Sequence, residues 1–195
     1  MQGVKEEVTF VDIYQMLGID EKIDFIIDHI SRLDRMMNAF EVGLITNIQR
    51  ERRYNRCAEN GELGVRVQTS GHADPTGNEG STNGDLQKYI RQGNYMAALK
   101  GTDNFFKYKN QIITLQDMRD DYGIISSVVD SMGDEHEQYI KYLYKKNSIA
   151  RAAEAEGVST EAIKSRFYRA KKEIREASKA WMINSNKYSL LKKGA

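Results

Sequence analysis

The sequence is poor in the residues that hold disulfide-rich and metal-dependent folds together. It has one cysteine, Cys57, so no disulfide can form within the chain. Its three histidines, His29, His72 and His136, are scattered and show no metal-ligand spacing. These shortages exclude a disulfide scaffold and a zinc module, and we expect the protein to bind neither a metal nor another cofactor.

Proline and long apolar runs are equally scarce. Pro75 is the only proline, and apolar and charged residues make up 40% and 29% of the chain, which is typical of a folded, helix-rich protein. The longest charge-free apolar stretches, such as residues 122–129, are too short to span a bilayer, and residues 1–7 contain no signal-peptide core. We therefore expect no membrane partner and a cytoplasmic location.

The sequence also lacks the motifs of common enzyme classes. It has no glycine loop followed by Lys-Ser or Lys-Thr, no Gly-x-Ser-x-Gly turn and no neighbouring Cys and His pair. Asp120 and Asp121 are adjacent in a helical pattern, so they point about 100° apart, and we expect both to be solvated. His136 lies between two glutamates and is expected at the surface. The protein is therefore predicted not to be an enzyme.

The charge of the chain is divided between its two ends. Lys+Arg and Asp+Glu number 29 and 28 overall, but residues 141–195 alone hold 14 and 5, which leaves an acidic part before residue 141. A strongly basic C-terminal part attracts polyanions such as nucleic acids or anionic lipids, whatever its fold, and charge alone does not choose between them. One further basic cluster, residues 50–56, is expected at a helix end, where cations complement the helix dipole.

Apolar spacing predicts an all-α body over residues 1–133. Apolar residues recur every three or four positions over residues 21–53 and again over 103–132, which predicts two long helices that pair as a hairpin, within one chain or across a dimer. A short helix over residues 10–17, capped by Thr9, precedes them. We expect this body to dimerise or to contact another protein, and a homo-oligomer is the predicted state.

Residues 57–85 form a glycine-rich insert in this body. Eight of the 15 glycines fall between Gly61 and Gly101, and Pro75 lies among them, which is typical of turns. Residues 65–69 alternate as in a short strand. Leu86, Ile90, Ala97 and Leu99 suggest a small helix that closes the insert.

Residues 134–185 have the pattern of a helix-turn-helix domain, and residues 186–195 form a basic tail. Ser148 is placed to cap a short helix, Gly157 to form a turn, and Ser159 to cap a second helix. On the second helix, Ile163, Phe167, Ala170 and Ile174 fall on one face. The opposite face carries polar and charged residues, namely Glu161, Ser165, Tyr168, Arg169 and Lys172, with Lys164 and Arg175 beside them. An apolar face for anchoring and a polar face for base edges are what a recognition helix needs.

Residues 152–159 (AAEAEGVS) and 163–174 (IKSRFYRAKKEI) resemble region 4 of bacterial sigma factors, the module that reads the promoter −35 element. The resemblance covers roughly residues 135–180. It implies that Thr160, Glu161, Lys164 and Ser165 face bases, and that Arg151, Lys171 and Lys172 hold phosphates. The rest of the chain departs from a complete sigma factor, because its N-terminal half is acidic overall. The arrangement of a sigma-like helix-turn-helix after a helical N-terminal part instead resembles phage late transcription regulators of the ArpU/RinA type, which act in the bacterial host cell, and residues 67–70 and 74–76 are also similar to those proteins.

The sequence therefore predicts a sequence-specific, sigma-like transcriptional regulator, phage or prophage encoded, whose partner is double-stranded DNA. Two alternatives remain open. One is a DNA-packaging recognition subunit similar to a small terminase, which would assemble as a ring. The other is a sigma-like module that contacts RNA polymerase.

Overall fold

A computed structural model describes residues 8–59, 84–133 and 149–185, and every regular element in these ranges is an α-helix. This confirms the predicted all-α class for the described residues. The helices, in chain order, are α1 (Phe10–Met16), α2 (Ile19–Glu59), α3 (residues 84–91), α4 (Tyr95–Ala98), α5 (Phe105–Ser131), α6 (Ile149–Glu156) and α7 (Thr160–Asn184).

The chain divides into two compact units. The first comprises Met1–Met36 and Gln116–Ala195, and the second comprises Met37–Leu115, so that α2 and α5 each contribute to both. The boundary predicted after residue 133 falls within the first unit. The predicted strand at residues 65–69, most of the glycine-rich insert, His136 and the basic tail lie outside the described residues.

The three predicted helices of the body are confirmed, with small changes at their ends. Thr9 caps α1 through a capping box, in which its hydroxyl accepts from the Asp12 amide and the Asp12 carboxylate accepts from the Thr9 amide at 2.9 Å. Helix α2 ends at Glu59, six residues beyond the predicted end at residue 53. Residues 54–59 are helical although the apolar stripe does not extend over them. The predicted end followed the stripe alone.

In the first unit, the stripe of α2 is buried, with Ile23, Ile26, Ile27 and Leu33 fully excluded from solvent. Tyr14 is also buried, and its hydroxyl donates a 2.8 Å hydrogen bond to Asp121 of α5. The prediction that Asp121 is solvated is therefore wrong. A tyrosine 107 positions away satisfies this carboxylate inside the protein.

In the second unit, α2 and α5 share one apolar core with α3 and α4. Leu44 and Ile48 of α2 and Tyr108 and Ile112 of α5 belong to this core. A single chain thus supplies both long helices here. The small helix predicted after the insert is two helices, and Leu86, Ile90 and Leu99 are buried in the same core, whereas Ala97 is half-buried.

Glu51 of α2 holds the start of α5. Its carboxylate accepts hydrogen bonds from the amides of Asp103 (2.6 Å) and Asn104 (2.9 Å), from the Asn104 side chain (3.1 Å) and from the Tyr108 hydroxyl (2.6 Å). Burial alone would raise the pKa of Glu51, but the hydrogen bonds from Tyr108 and Asn104 outweigh it, so the pKa is lowered. This carboxylate satisfies amides at the N-terminus of a neighbouring helix.

Candidate nucleic-acid interface

Helices α6 and α7 pack together and are joined by a turn at residues 157–159. Gly157 has a φ of 65°, a left-handed conformation that favours glycine. Its amide donates to the Glu154 carbonyl at 3.4 Å, and the Val158 amide donates to the Ala153 carbonyl at 3.0 Å. These two bonds form a Schellman motif, which ends α6 and turns the chain. Gly157 therefore has the turn role expected from the sequence.

Ser159 begins α7 as expected. Its side chain accepts a 3.2 Å hydrogen bond from the Ala162 amide, which satisfies one of the free amides in the first turn. A second link holds the two helices together, because Arg166 of α7 donates to Glu156 at the end of α6 at 2.6 Å. The cap and this ion pair fix the first turns of α7 relative to α6.

Helix α7 has one buried and one exposed face. Ile163, Ala170, Ile174 and Met182 are at most 6% exposed, and Ala153 of α6 is 5% exposed. Phe167 is half-buried. The opposite face is open to solvent, and on it Tyr168 is 73% exposed. An aromatic side chain this exposed gains nothing from the core of the unit.

The predicted site residues are divided among three surroundings. Ser148 lies outside the described residues. Thr160 is half-buried, and its hydroxyl donates to the Glu161 carboxylate at 2.8 Å. The hydrogen bond from Thr160, a backbone hydrogen bond from Glu161 itself and the charge of Lys164 lower the pKa of Glu161. Apart from Lys171, the other predicted residues are exposed, namely Arg151, Ser159, Glu161, Lys164, Ser165, Tyr168, Arg169 and Lys172.

Lys171 differs from its neighbour Lys172. Its ammonium nitrogen lies 2.8 Å from Asp28 and 3.9 Å from Asp24, both on α2, and only 34% of its side chain is exposed. Lys172 is 63% exposed and lies 3.8 Å from Glu176, one turn along the same helix. Lys171 therefore faces the acidic side of α2, and Lys172 faces solvent.

The contact of Lys171 is one end of an ion-pair ladder between α7 and α2. Arg175 lies 3.4 Å from Asp24 and 3.7 Å from Asp20, and Lys179 lies 2.7 Å from Asp20. Both rows repeat every four residues, so each lies along one helix face. This ladder was not predicted from the sequence, although Asp20, Asp24 and Asp28 are spaced by four residues and so share one helix face.

The cations of α7 fall into two groups, those that pair with α2 and those that do not. Three cations, Lys171, Arg175 and Lys179, are paired with carboxylates of α2. The exposed cations of α7 that do not pair with α2 include Lys164, Arg169 and Lys172. These three lie in the first half of α7.

The described residues show neither a metal site nor a membrane-spanning helix. Within residues 8–59, 84–133 and 149–185, no group of His, Cys, Asp or Glu side chains could hold a metal ion. No helix in those ranges has both the length and the hydropathy needed to cross a bilayer.

Comparison with protein-family models, with curated proteins and with solved structures found no match for this chain. The geometry of α6 and α7 and the sequence pattern therefore carry the functional argument.

Proposed function

We propose that the protein is a sequence-specific transcriptional regulator that binds double-stranded DNA through α6 and α7. In this proposal the two helices form a helix-turn-helix of the sigma region 4 type, and α7 is the recognition helix. The regulator is phage or prophage encoded and acts in the cytoplasm of a bacterial host, as the resemblance to ArpU/RinA-type regulators implies.

One observation carries this proposal: the first half of α7 presents long polar side chains on its open face while its other face is anchored. Lys164, Ser165, Tyr168 and Arg169 are exposed, and Ile163 holds the helix from the opposite side at 2% exposure. A helix inserted in the major groove reads base edges with residues near its N-terminus. Lys and Ser donate to bases, and an exposed Tyr is suited to a phosphate or a thymine methyl.

The number of exposed cations predicts how strongly DNA binding should depend on salt. Four exposed cations lie on the two helices: Arg151 on α6, and Lys164, Arg169 and Lys172 on α7. Each phosphate neutralised on duplex DNA contributes about 0.9 to the slope of log affinity against log salt. If each cation neutralises one phosphate, we expect a slope of magnitude about 3 to 4 for this surface.

The test compares two lysines on the same helix. A preferred site is selected from random duplexes with the full chain, and wild type, Lys164→Ala and Lys172→Ala are then titrated against that site and a scrambled duplex. Lys164→Ala should cost roughly 1 to 3 kcal/mol on the preferred site and relax base preference. Lys172→Ala should weaken binding to both duplexes alike and reduce the salt slope by about 0.9.

Equal losses on both duplexes for both variants would contradict sequence reading by α7. In that case the solution mass becomes informative, because a large ring would favour DNA packaging and a dimer would not. Binding to RNA polymerase without any affinity for duplex DNA would favour the third function, a polymerase-contacting module.

A further inference from the structure

A basic pocket lies in the second unit, between the last turns of α2 and the turn after α4. Its volume is about 350 Å³, and its lining includes Arg52, Asn55, Arg56, Lys100 and Gly101. Gly101 has a φ of 80°, and its carbonyl accepts a 3.2 Å hydrogen bond from the Asn55 side chain. The turn that forms one wall of the pocket is therefore fixed to α2.

Arg52 provides a fixed positive charge in this pocket. Its guanidinium donates to the carbonyls of Ala97 (3.1 Å) and Ala98 (2.7 Å) at the end of α4, while its Nε is buried without a hydrogen-bond partner. We expected the basic cluster around it to complement the end of its own helix. That interpretation is wrong for Arg52, because α2 continues to Glu59 and the side chain caps a different helix.

The pocket has more positive than negative charge. Besides Arg52 it contains the exposed Arg56 and Lys100, and neither forms an ion pair with any residue that the structure describes. Glu59 is the one carboxylate among the described lining residues. Burial and the nearby charge of Arg56 both lower the pKa of Arg52. The arrangement thus places like charges close together around a partly desolvated guanidinium, which is unfavourable until an anion enters.

We propose that this pocket binds a phosphate group. Arginine and lysine form short, charge-assisted hydrogen bonds to phosphate oxygens, and arginine can do so with two parallel donors. Arg56 of α2 and Lys100 of the turn after α4 are exposed and supply these donors, while Arg52 supplies a fixed charge in the same lining. The proposal does not rest on the DNA-binding function of α7. The same chemistry fits a phosphomonoester and a phosphodiester of a nucleic-acid backbone.

The binding test uses the full chain and inorganic phosphate as the probe. Amide NMR spectra are recorded as phosphate replaces chloride at constant ionic strength. The amides of Lys100 and Gly101 should shift and saturate, because they lie in the wall of the pocket. Shifts that grow linearly without saturation, or that are absent from these two amides, would overturn the proposal.

Three variants test the charge argument. The double variant Arg56→Gln, Lys100→Gln should weaken phosphate binding at least about tenfold, since it removes two charge-assisted donors. Glu59→Gln should strengthen binding, because it removes the opposing carboxylate. Lys88→Gln is the matched control, since Lys88 is exposed on α3 and does not line the pocket. If Lys88→Gln weakened phosphate binding as much as the double variant does, the attraction would be nonspecific and the proposed site would be overturned.

Two further ligands test whether the pocket binds a small phosphorylated molecule or a phosphate of a nucleic-acid backbone. A nucleoside monophosphate and a short DNA duplex are titrated in the same way, with Lys100 and Gly101 as reporters. Saturable shifts with the monophosphate alone support a small phosphorylated ligand, and shifts with the duplex that the double variant abolishes support a backbone phosphate. The amides of α7 report separately on DNA binding. The phosphate proposal and the DNA-binding proposal can therefore fail independently, and the spectra show which one has failed.

Discussion

Lys179 and Asp20 are 159 positions apart in the sequence and form a 2.7 Å ion pair between α7 and the first turn of α2. This pair ends a ladder that continues through Arg175 to Lys171. The carboxylates of α2 form ion pairs with cations of α7 that lie close in sequence to the residues proposed to contact DNA. The ladder thus limits which lysines and arginines of α7 can meet phosphates.

The first prediction separates two adjacent lysines. Lys171→Ala should leave the salt slope of DNA binding unchanged, because Lys171 is paired with Asp28, whereas Lys172→Ala should reduce the slope by about 0.9. The measurement is a titration with one duplex at several salt concentrations. A reduced slope for Lys171→Ala would mean that the ion pair opens on DNA, and the phosphate role implied for Lys171 by the sigma resemblance would then hold.

The second prediction concerns acid stability. The hydrogen bond from Lys179, with the charges of Lys179 and Arg175, lowers the pKa of Asp20 from its ordinary 3.8. The contribution of this carboxylate to folding is therefore complete above about pH 5 and is lost as the pH falls through the lowered pKa. Since the pair is partly exposed, Asp20→Asn should cost about 0.2 to 1 kcal/mol at neutral pH and nothing in acid.

Urea unfolding at pH 7 and at roughly pH 2, well below the ordinary pKa of 3.8, measures this difference. Asp130→Asn is a suitable control, because Asp130 is exposed near the end of α5 and forms no ion pair with a described residue. A cost for Asp20→Asn that persists in acid would show that the carboxylate acts through something other than its charge.

The sequence predicted the helices and the packing of α2 with α5 well, and the contacts between polar side chains poorly. Apolar spacing marks α2 and α5 because burial requires it, and the left-handed turn at Gly157 follows from local backbone chemistry. Asp121 could not be distinguished from Asp120 by such rules, because its burial depends on Tyr14, which lies 107 positions away. The aspartates of the ladder were similarly ambiguous, since a charged stripe on a helix fits solvent as well as a partner helix.

The third prediction tests Glu51 as the cap of a neighbouring helix. Glu51→Ala removes the acceptor for four donors of Asp103, Asn104 and Tyr108, so it should lower the free energy of unfolding by about 2 to 3 kcal/mol. Glu51→Gln keeps an acceptor oxygen and should cost less. Chemical unfolding of the three proteins measures the order.

Tyr108→Phe provides an internal comparison for this cap. It removes one of the four donors and should cost about 1 kcal/mol. Burial and the Glu51 hydrogen bond raise the pKa of Tyr108, so the wild type should lose stability as the pH rises above the ordinary tyrosine value of 10.0, and the variant should lose less. Equal stability of Glu51→Ala and wild type would contradict the capping role.

The last prediction pairs two glycines whose replacement should have opposite effects. Gly157 has a φ of 65°, so Gly157→Ala should cost about 1 to 2 kcal/mol through backbone strain, although the space around its Cβ position is open. Gly123 lies inside α5 with equally open space, so Gly123→Ala should raise stability by up to about 1 kcal/mol. Thermal unfolding of both variants measures the signs. Because a Cβ atom has space at both sites, the two substitutions differ only in the backbone conformation of the glycine. An unchanged stability of Gly157→Ala would mean that the turn does not fix α7 against α6.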